Sequence, residues 1–306
     1  MQARPPRRFD VVIPTYNNAA QLQACLEALS EQGDRAFSVI VCIDGSTDGT
    51  RELLGSVAVP YPLEVAEHPD RANHGRAAAR NLALTRMTGE FVLLLDSDMR
   101  LAPDGLHRHR ELLEARDCIS QGDVIYTNAM SNLWARYLRT RGKNKAMPGA
   151  AIRSLDFATA NTAMRREHFE AVGGFDERFV AHGGEDTELA LRLEEERGGP
   201  FVFNAAARAY TEEPKSAAEG LAELREYGRQ NLPMIRQRHP SGPAPFFIDR
   251  LESDSLRNRA FRALLNSIDD RLVDLLLPRS PFWLQRRLLN YKVIRAVFAG
   301  YTEAAT

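Results

Sequence analysis

Asp96 and Asp98 stand one residue apart at the end of an apolar run, Glu90-Phe-Val-Leu-Leu-Leu-Asp96-Ser97-Asp98. A buried strand that closes on two carboxylates delivers them to the rim of a sheet. Hard oxygen ligands at this spacing suit Mg²⁺ or Mn²⁺, ions that keep several waters and share their remaining positions with substrate phosphates. A phosphate-bearing substrate is therefore expected; two solvated aspartates in a turn are the plain alternative. A second acidic pair, Glu185 and Asp186, follows Gly183 and Gly184. A carboxylate within about 3 Å of an acceptor hydroxyl can take its proton. Read structurally instead, both acids would cap the first turn of a helix.

The elements that must position these groups are legible from periodicity. Residues 9–14 form a short β-branched run, and Leu22, Cys25, Leu26 and Leu29 follow at helical spacing before Gly33. Strand signals recur at 37–43, 63–67 and 91–96, with helical patterns after the Asp44-Gly45-Ser46-Thr47-Asp48 turn and across 75–87. Continuous apolar strands alternating with helices imply an α/β fold with a mostly parallel central sheet flanked by helices. The ligand crevice of such a sheet lies beyond the carboxyl ends of its strands, where Pro14, Thr15, Tyr16, Asp44, Asp96 and Asp98 all fall.

Further on, residues 103–115 read as a helix, 118–126 and 157–164 as strands, 167–172 as a short helix and 185–197 as a helix stopped by Gly198 and Gly199. Residues 131–153 read as a mobile surface segment carrying Trp134, Tyr137 and a basic series of Arg136, Arg139, Arg141, Lys143 and Lys145. Strand signals at 201–203 and 209–210 end the alternation. A helix over 216–239, a Pro-rich linker at 240–245 and two helices broken near Pro278 complete the chain, giving a catalytic part at 1–215 and a helical C-terminal extension at 216–306.

The 306 residues are 44% hydrophobic and 26% charged with formal net charge −1, an ordinary globular balance that speaks against nucleic acid as the main partner. Cys25, Cys42 and Cys118 are widely separated, as expected of buried free thiols in a reducing compartment, and the histidines lack zinc spacing. No run approaches the ~20 apolar residues of a membrane span, and the basic residues before Arg8 precede an apolar strand too brief for a signal peptide. A cytoplasmic location is expected.

The segments VVIPTYNN (11–18), DGSTDGT (44–50), NHGRAAARNLAL (73–84), GEFVLLLDSD (89–98), NTAMRREHFEAVGGFDERF (161–179) and GGEDTELALRL (183–193) resemble a family-two glycosyltransferase of the GT-A type, in its order and spacing, over about two thirds of the chain. The resemblance implies a GT-A nucleotide-diphospho-sugar transferase fold. It implies that Pro14, Thr15 and Tyr16 border the nucleoside, with Tyr16 offering a ring face to the base, and that Asp44 accepts the imide N–H of uracil; thymine would fit similarly. Arg76 is placed on the diphosphate and Asp96 with Ser97 on the donor ribose or a metal-bound water. Asp98 is placed on a divalent cation, Mn²⁺ or Mg²⁺, that offsets charge on the departing nucleoside diphosphate. Asp186 is the implied general base, with Glu185 in reserve, and direct displacement inverts the anomeric centre. Arg80 and Asn81 read as residues that stitch their helix to the sheet, and Asp48 as an N-cap.

Two positions depart from the pattern. His182 precedes the glycines where relatives often carry an aromatic. Thr211, Glu212 and Glu213 stand where relatives often place a histidine metal ligand, so Glu212 is the substitute, or water and phosphate complete the site. The function so implied is transfer of a sugar, from a UDP-sugar above other donors, to a hydroxyl acceptor on a glycan, a lipid-linked or another glycoconjugate. A catalytically silent nucleotide-binding or interaction module and, less favoured, a sugar nucleotidyltransferase are the alternatives; the first should have lost some of the four acids, and the second wants a glycine-rich loop that Pro14-Thr15-Tyr16-Asn17 is not.

Outside the matched segments, Trp134 and Tyr137 could form an acceptor platform among the basic residues, with packing as the alternative. The C-terminal piece mixes Phe282, Trp283, Leu284, Leu288, Leu289, Ile294, Val297 and Phe298 with Arg286, Arg287, Lys292 and Arg295. Its apolar residues spread nearly all round a helix, which favours docking on the core or on a second subunit over peripheral contact with the inner face of the cell membrane.

Overall fold

The computed structural model describes residues 8–141, 147–197, 200–243, 245–253, 255–267 and 270–304. Lys143, Lys145, Gly198 and Gly199 lie outside them, as do residues 1–7 and part of the predicted linker. The first hundred residues alternate as predicted: β1 (Phe9–Thr15), α1 (Ala19–Ser30), β2 (Phe37–Ile43), α2 (Thr50–Ser56), β3 (Leu63–Glu67), α3 (Arg76–Asn81) and β4 (Phe91–Leu95). These strands pair in parallel in the order β3-β2-β1-β4. Pro14 and Thr15 register with Cys42 and Ile43, so the chain leaves β1 and β2 at the same edge.

Past β4 the sheet becomes mixed. After β5 (Arg100–Leu101), α4 (Gly105–Ala115), β6 (Ile119–Tyr126), α5 (Leu133–Leu138) and β7 (Ala151–Ile152), strand β8 (Asn161–Arg165) inserts antiparallel between β4 and β6. Following α6 (Arg166–Ala171) and α7 (Glu185–Arg197), β9 (Phe201–Thr211) runs parallel to β6. It unites the two predicted strand fragments into one strand, whose register against β6 shifts between Gly122 and Asp123 of β6.

Alternating side chains of the buried strands supply two cores. Phe9, Val11 and Ile13 of β1 pack with Leu22, Cys25, Leu26 and Leu29 of α1 and with Leu106 and Leu113 of α4. Val12, Ile40, Val92 and Leu94 face the other way, onto Ala77 and Ala79 of α3, Phe169 of α6, and Leu189 and Leu193 of α7. The small alanines bring α3 close to the sheet. All three cysteines are free and buried, as the spacing predicted.

The C-terminal residues build a helical layer: α8 (Ala217–Arg238), α9 (Asp249–Glu252), α10 (Leu256–Ser267), α11 (Asp270–Leu276) and α12 (Phe282–Ala304). Ser216 and Glu219 close a capping box at the start of α8, each side chain taking the other's backbone N–H. A 3₁₀ turn at Leu277–Arg279, holding Pro278, separates α11 from α12 at the predicted break. Helix α12 docks on the molecule's own core, burying Leu289, Val293, Val297 and Phe298.

The backbones of α8 and α12 touch at two glycines. A Cβ on Gly300 would collide with the Arg225 carbonyl, and one on Gly228 with that of Val297. In Gly300→Ala, helix propensity favours alanine by about 1 kcal/mol, whereas forcing a methyl against backbone costs about 1–3 kcal/mol. A net loss of stability is expected in urea unfolding; a gain would contradict this helix contact.

Candidate active site

One cavity of about 560 Å³ opens at the carboxyl edge of the sheet and is lined by Pro14, Thr15, Tyr16, Asp44, Arg76, Arg80, Asp96, Ser97, Asp98, His182 and Glu212 among others. Tyr16 is 53% exposed, its ring open to the cleft mouth. Asp44 is buried at the end of β2, where its Oδ1 accepts the His74 backbone N–H at 2.7 Å. The loops after β1 and β2 are tied together: Asn17 Oδ1 accepts the Thr47 N–H at 2.7 Å, and Ser46 Oγ accepts the Asn17 N–H at 3.1 Å. Asp48 serves both loops, accepting Ala19 N–H at 2.9 Å and the Thr50 hydroxyl at 2.6 Å, while the N-cap of the following helix is Gly49 and not Asp48 as predicted. Asn18 donates to Ser97 Oγ at 2.9 Å and so joins the first loop to the D-x-D turn.

At the floor lies Arg80, whose side chain is only 2% exposed. Its Nη2 donates to Asp96 Oδ1 at 2.6 Å, and its Nη1 stands 3.5 Å from Glu185 Oε1 and 3.9 Å from Asp186 Oδ1. Phe175 closes the other side, its ring centroid 5.0 Å from the guanidinium carbon. The sequence reading of Arg80 as a helix-to-sheet stitch is thus incomplete: it is the cation that gathers Asp96 with Glu185 and Asp186. The available signal was its spacing from Arg76, since positions i and i+4 share a helix face. Arg76 sits higher, with Nε 3.6 Å from Glu185 Oε1 and Nη2 3.1 Å from His182 Nδ1.

Glycine permits the acidic loop. Gly183 and Gly184 have φ of 83° and 95°, and a Cβ on Gly184 would press on Asn231 and Tyr227 of α8 at 3.1 Å. Asn231, which the sequence did not flag, donates to the carbonyls of Ala181 at 3.1 Å and His182 at 3.4 Å, and to that of Gly183. Asp186 then receives the Thr159 hydroxyl at 2.6 Å and the Thr159 N–H at 3.3 Å. Glu185 is buried behind it, with Oε2 lacking a hydrogen-bond partner among the described residues.

Four carboxylates here face two guanidiniums. Burial pushes Asp96 up, but the guanidinium beside it holds it below the usual carboxylate range. Burial, then the charge of Glu185, raises Asp186 to about 6. Burial and the neighbouring Asp96 charge raise Asp98 to about 6 as well, against a hydrogen bond from Thr211 Oγ1 at 3.0 Å. His182 is driven down to about 4, by burial and then by Arg76. It is neutral at pH 7, so Nδ1 accepts from Arg76 and the proton belongs on Nε2, facing Glu223 at 3.6 Å.

Hard oxygen donors with surplus negative charge fit a divalent cation better than a soft or nitrogen-ligated one. Glu212 lines the same cavity, and its Oε1 accepts from Thr127 at 3.3 Å. Among the described residues no three His, Cys, Asp or Glu side chains are gathered closely enough to hold a metal by themselves.

Of the two readings open for Trp134 and Tyr137, an acceptor platform or packing, the structure shows packing. Both are buried, 4% and 1% exposed, and they stack on each other at 5.2 Å with the Tyr137 hydroxyl on Asn290. The segment read as mobile contains α5; Arg136 within it covers Phe282, and Arg139 and Arg141 just after it pair with Asp123 and stack over Phe246. Apolar burial outcompeted exposure because α8 and α12 supply facing side chains that the local sequence does not reveal.

The sequence of residues 10–173 matches the profile of glycosyl transferase family 2. The chain belongs to that family. Residues 144–215 also match a profile described as the N-terminal domain of galactosyltransferase. Among curated relatives, the chain is 27% identical over 237 residues to the uncharacterized glycosyltransferase YfnE of Bacillus subtilis, covering 61% of this chain and 60% of that protein. It is 28% identical over 207 residues to the amylovoran biosynthesis glycosyltransferase AmsB of Erwinia amylovora, covering 64% and 67%. A pre-mycofactocin glycosyltransferase of Mycobacterium tuberculosis is 28% identical over 266 residues, covering 80% of this chain and 52% of its own length. The match thus spans between half and two thirds of these relatives.

Among solved structures, a mannosyltransferase of Pyrobaculum calidifontis in complex with GDP-Man and Mn²⁺ superposes with a TM-score of 0.65 at 20% identity, covering 97% of this chain and 88% of that one. S. aureus TarS 1-349 with UDP-GlcNAc superposes with a TM-score of 0.57 at 16% identity, covering 97% and 90%. At these identities the likeness establishes the fold.

Replacing Arg80 by Met removes the buried counter-charge of Asp96 and Asp186 and leaves Glu185 with only the more exposed Arg76, a change that typically costs about 3–5 kcal/mol. The loss should be full at neutral pH and shrink in part as pH falls through about 6, where Asp186 protonates while Asp96 stays ionised. Urea unfolding at pH 7.5 and pH 5 checks this; equal stability of Arg80→Met and the parent at pH 7.5 would sink the assignment.

Proposed function

We propose that this chain is an inverting glycosyltransferase that moves a sugar from a nucleoside-diphosphate donor, a UDP-sugar above others, to a hydroxyl acceptor in glycan or glycoconjugate assembly. The observation that carries the reading is that Asp186 and Asp96 of the Asp96-Ser97-Asp98 turn meet at the two terminal nitrogens of one buried arginine, Arg80, which lines a single cavity together with that turn. Residues 1–215 would hold the donor, and residues 216–306 would brace the acceptor side, where Gly220, Glu223 and Leu224 of α8 line the cavity wall.

In this reading Tyr16 offers its ring to the base, with Pro14 and Thr15 beneath. Asp44 receives the imide N–H of uracil on the oxygen not committed to His74. Asp96 is held ionised by Arg80 and accepts a ribose hydroxyl, with Ser97 fixed by Asn18. Arg76, freed of charge competition by a neutral His182, is the cation that reaches the diphosphate. Asp98, with Asp96 and Glu212 as the further carboxylates of the cavity, would hold Mn²⁺ or Mg²⁺, which when bound offsets the charge of the leaving diphosphate. The sparse protein ligand set suits an ion that keeps waters and shares phosphate oxygens.

Asp186 takes the proton of the attacking hydroxyl. A carboxylate raised to about 6 is a stronger base than an exposed aspartate and still ionised at neutral pH. Thr159 orients it through both its hydroxyl and its N–H, leaving lone pairs for the acceptor. Attack from the Asp186 side, with departure toward Asp98, inverts the anomeric centre.

Because ionised Asp186 is lost as pH falls through about 6, transfer should rise with pH and level off above it. Asp186→Asn should lower transfer by about 10²–10⁴-fold and leave UDP affinity unchanged; transfer equal to the parent's would refute the base assignment. In Asp98→Ala, the gain in UDP affinity on adding Mn²⁺, read by titration calorimetry, should disappear. An unaltered gain would remove Asp98 from the metal site.

A further inference from the structure

Large exposed apolar residues concentrate at one corner of the helical layer. Leu272, Leu275 and Leu276 are 52%, 56% and 43% exposed, and Trp283 is 59% exposed. The three leucines fall at i, i+3 and i+4 on α11, forming one face, while Val273 on another face is buried. Lys292 pairs with Asp274 and Arg295 with Asp270, which sets α11 antiparallel beside α12 with the turn between them as the tip of a hairpin. Trp283, in the first turn of α12, therefore belongs to the same tip as Leu276. Other exposed apolar side chains, such as Val65 and Met130, stand singly and need no partner.

The rim of this corner is basic. Arg279, Arg286 and Arg287 are exposed. Arg279 hydrogen-bonds the Leu275 carbonyl at 2.9 Å, and Arg287 stacks over the Trp283 ring at 5.6 Å. The acids on α11, Asp270 and Asp274, are neutralised by their α12 partners, so the surplus charge is positive. Apolar side chains that include a tryptophan, rimmed by arginines, match the interface of an anionic bilayer, where the ring sits at headgroup level and the guanidiniums meet phosphate. A second copy of the chain fits less well, since a two-fold contact would set these arginines against their own equivalents. No helix among the described residues is long and apolar enough to cross a membrane.

We infer that the α11–α12 corner is a docking surface for an anionic lipid bilayer. Phe282 of the same tip lies under Arg136 of α5 at 3.9 Å, and Trp134 and Leu138 of α5 line the central cavity. A docked bilayer thus lies one helix away from that cavity. The corollary that the acceptor is an amphiphile presented at the bilayer surface rests on the transferase reading; the docking itself does not.

The test is flotation of the full chain with vesicles of phosphatidylcholine alone or mixed with phosphatidylglycerol, without nucleotide. Binding to the mixed vesicles should exceed binding to phosphatidylcholine by about tenfold or more, given three arginines near the surface. The triple variants Leu272→Gln/Leu275→Gln/Trp283→Gln and Arg279→Gln/Arg286→Gln/Arg287→Gln should each lose it. In the unsubstituted chain, brominated acyl chains should quench Trp283; Trp134 is buried, and Trp283→Phe isolates its signal. Equal binding to both vesicle types, an unaffected leucine variant or absent quenching overturns the inference. So does a dimer in sedimentation velocity that the same substitutions dissolve without any vesicle binding. Because no donor is present, failure here leaves the donor cavity untouched, and failure of transfer leaves the docking surface untouched.

Discussion

The site depends on one buried guanidinium. Arg80 has left water almost completely, a desolvation that only close carboxylates can offset, and it finds three of them. They come from segments about ninety residues apart in sequence, the turn after β4 and the start of α7. Neither segment could keep its charge buried alone. Coulomb attraction falls inversely with distance, so Asp96 at 2.6 Å feels Arg80 roughly 1.5 times as strongly as Asp186 at 3.9 Å. With burial acting on both, the closer guanidinium holds Asp96 as a fixed anion, while the charge of Glu185 beside Asp186 raises that acid to about 6 and leaves it a usable base.

Positioning of the base extends outward through the helical layer. Gly183 and Gly184 give the loop before α7 its left-handed backbone, and such a backbone persists only where its surroundings hold it. Asn231 supplies that hold by donating to three successive carbonyls. It stands on α8, which α12 clasps at Gly228 and Gly300. The C-terminal ninety residues carry no recognisable motif, yet they form one wall of the cavity and the support of its acidic loop.

What was legible in the sequence was what is local. The apolar run into Asp96, the coincident ends of the first, second and fourth strands, and the helix over 185–197 all follow from periodicity and turn chemistry. What was hidden is set by partners far along the chain. Arg80 looked like a stitch because nothing nearby announces that Glu185 folds over it. Whether Trp134 and Tyr137 pack or form a surface platform stayed open because the side chains that bury them, Leu289 and Val293, come some 150 residues later. The antiparallel insertion of β8 and the register shift in β9 are likewise pairings between strands that neighbouring residues do not encode.

The central claim is that the cavity at the carboxyl edge of the sheet seats a nucleoside diphosphate. Crystals of the chain grown with UDP and Mn²⁺ test it directly. The account predicts uracil between Tyr16 and Asp44, the ribose at Asp96, and the diphosphate bridged to Asp98 through the metal. Nucleotide bound anywhere else, or seated in this cavity with no metal at Asp98, would contradict it.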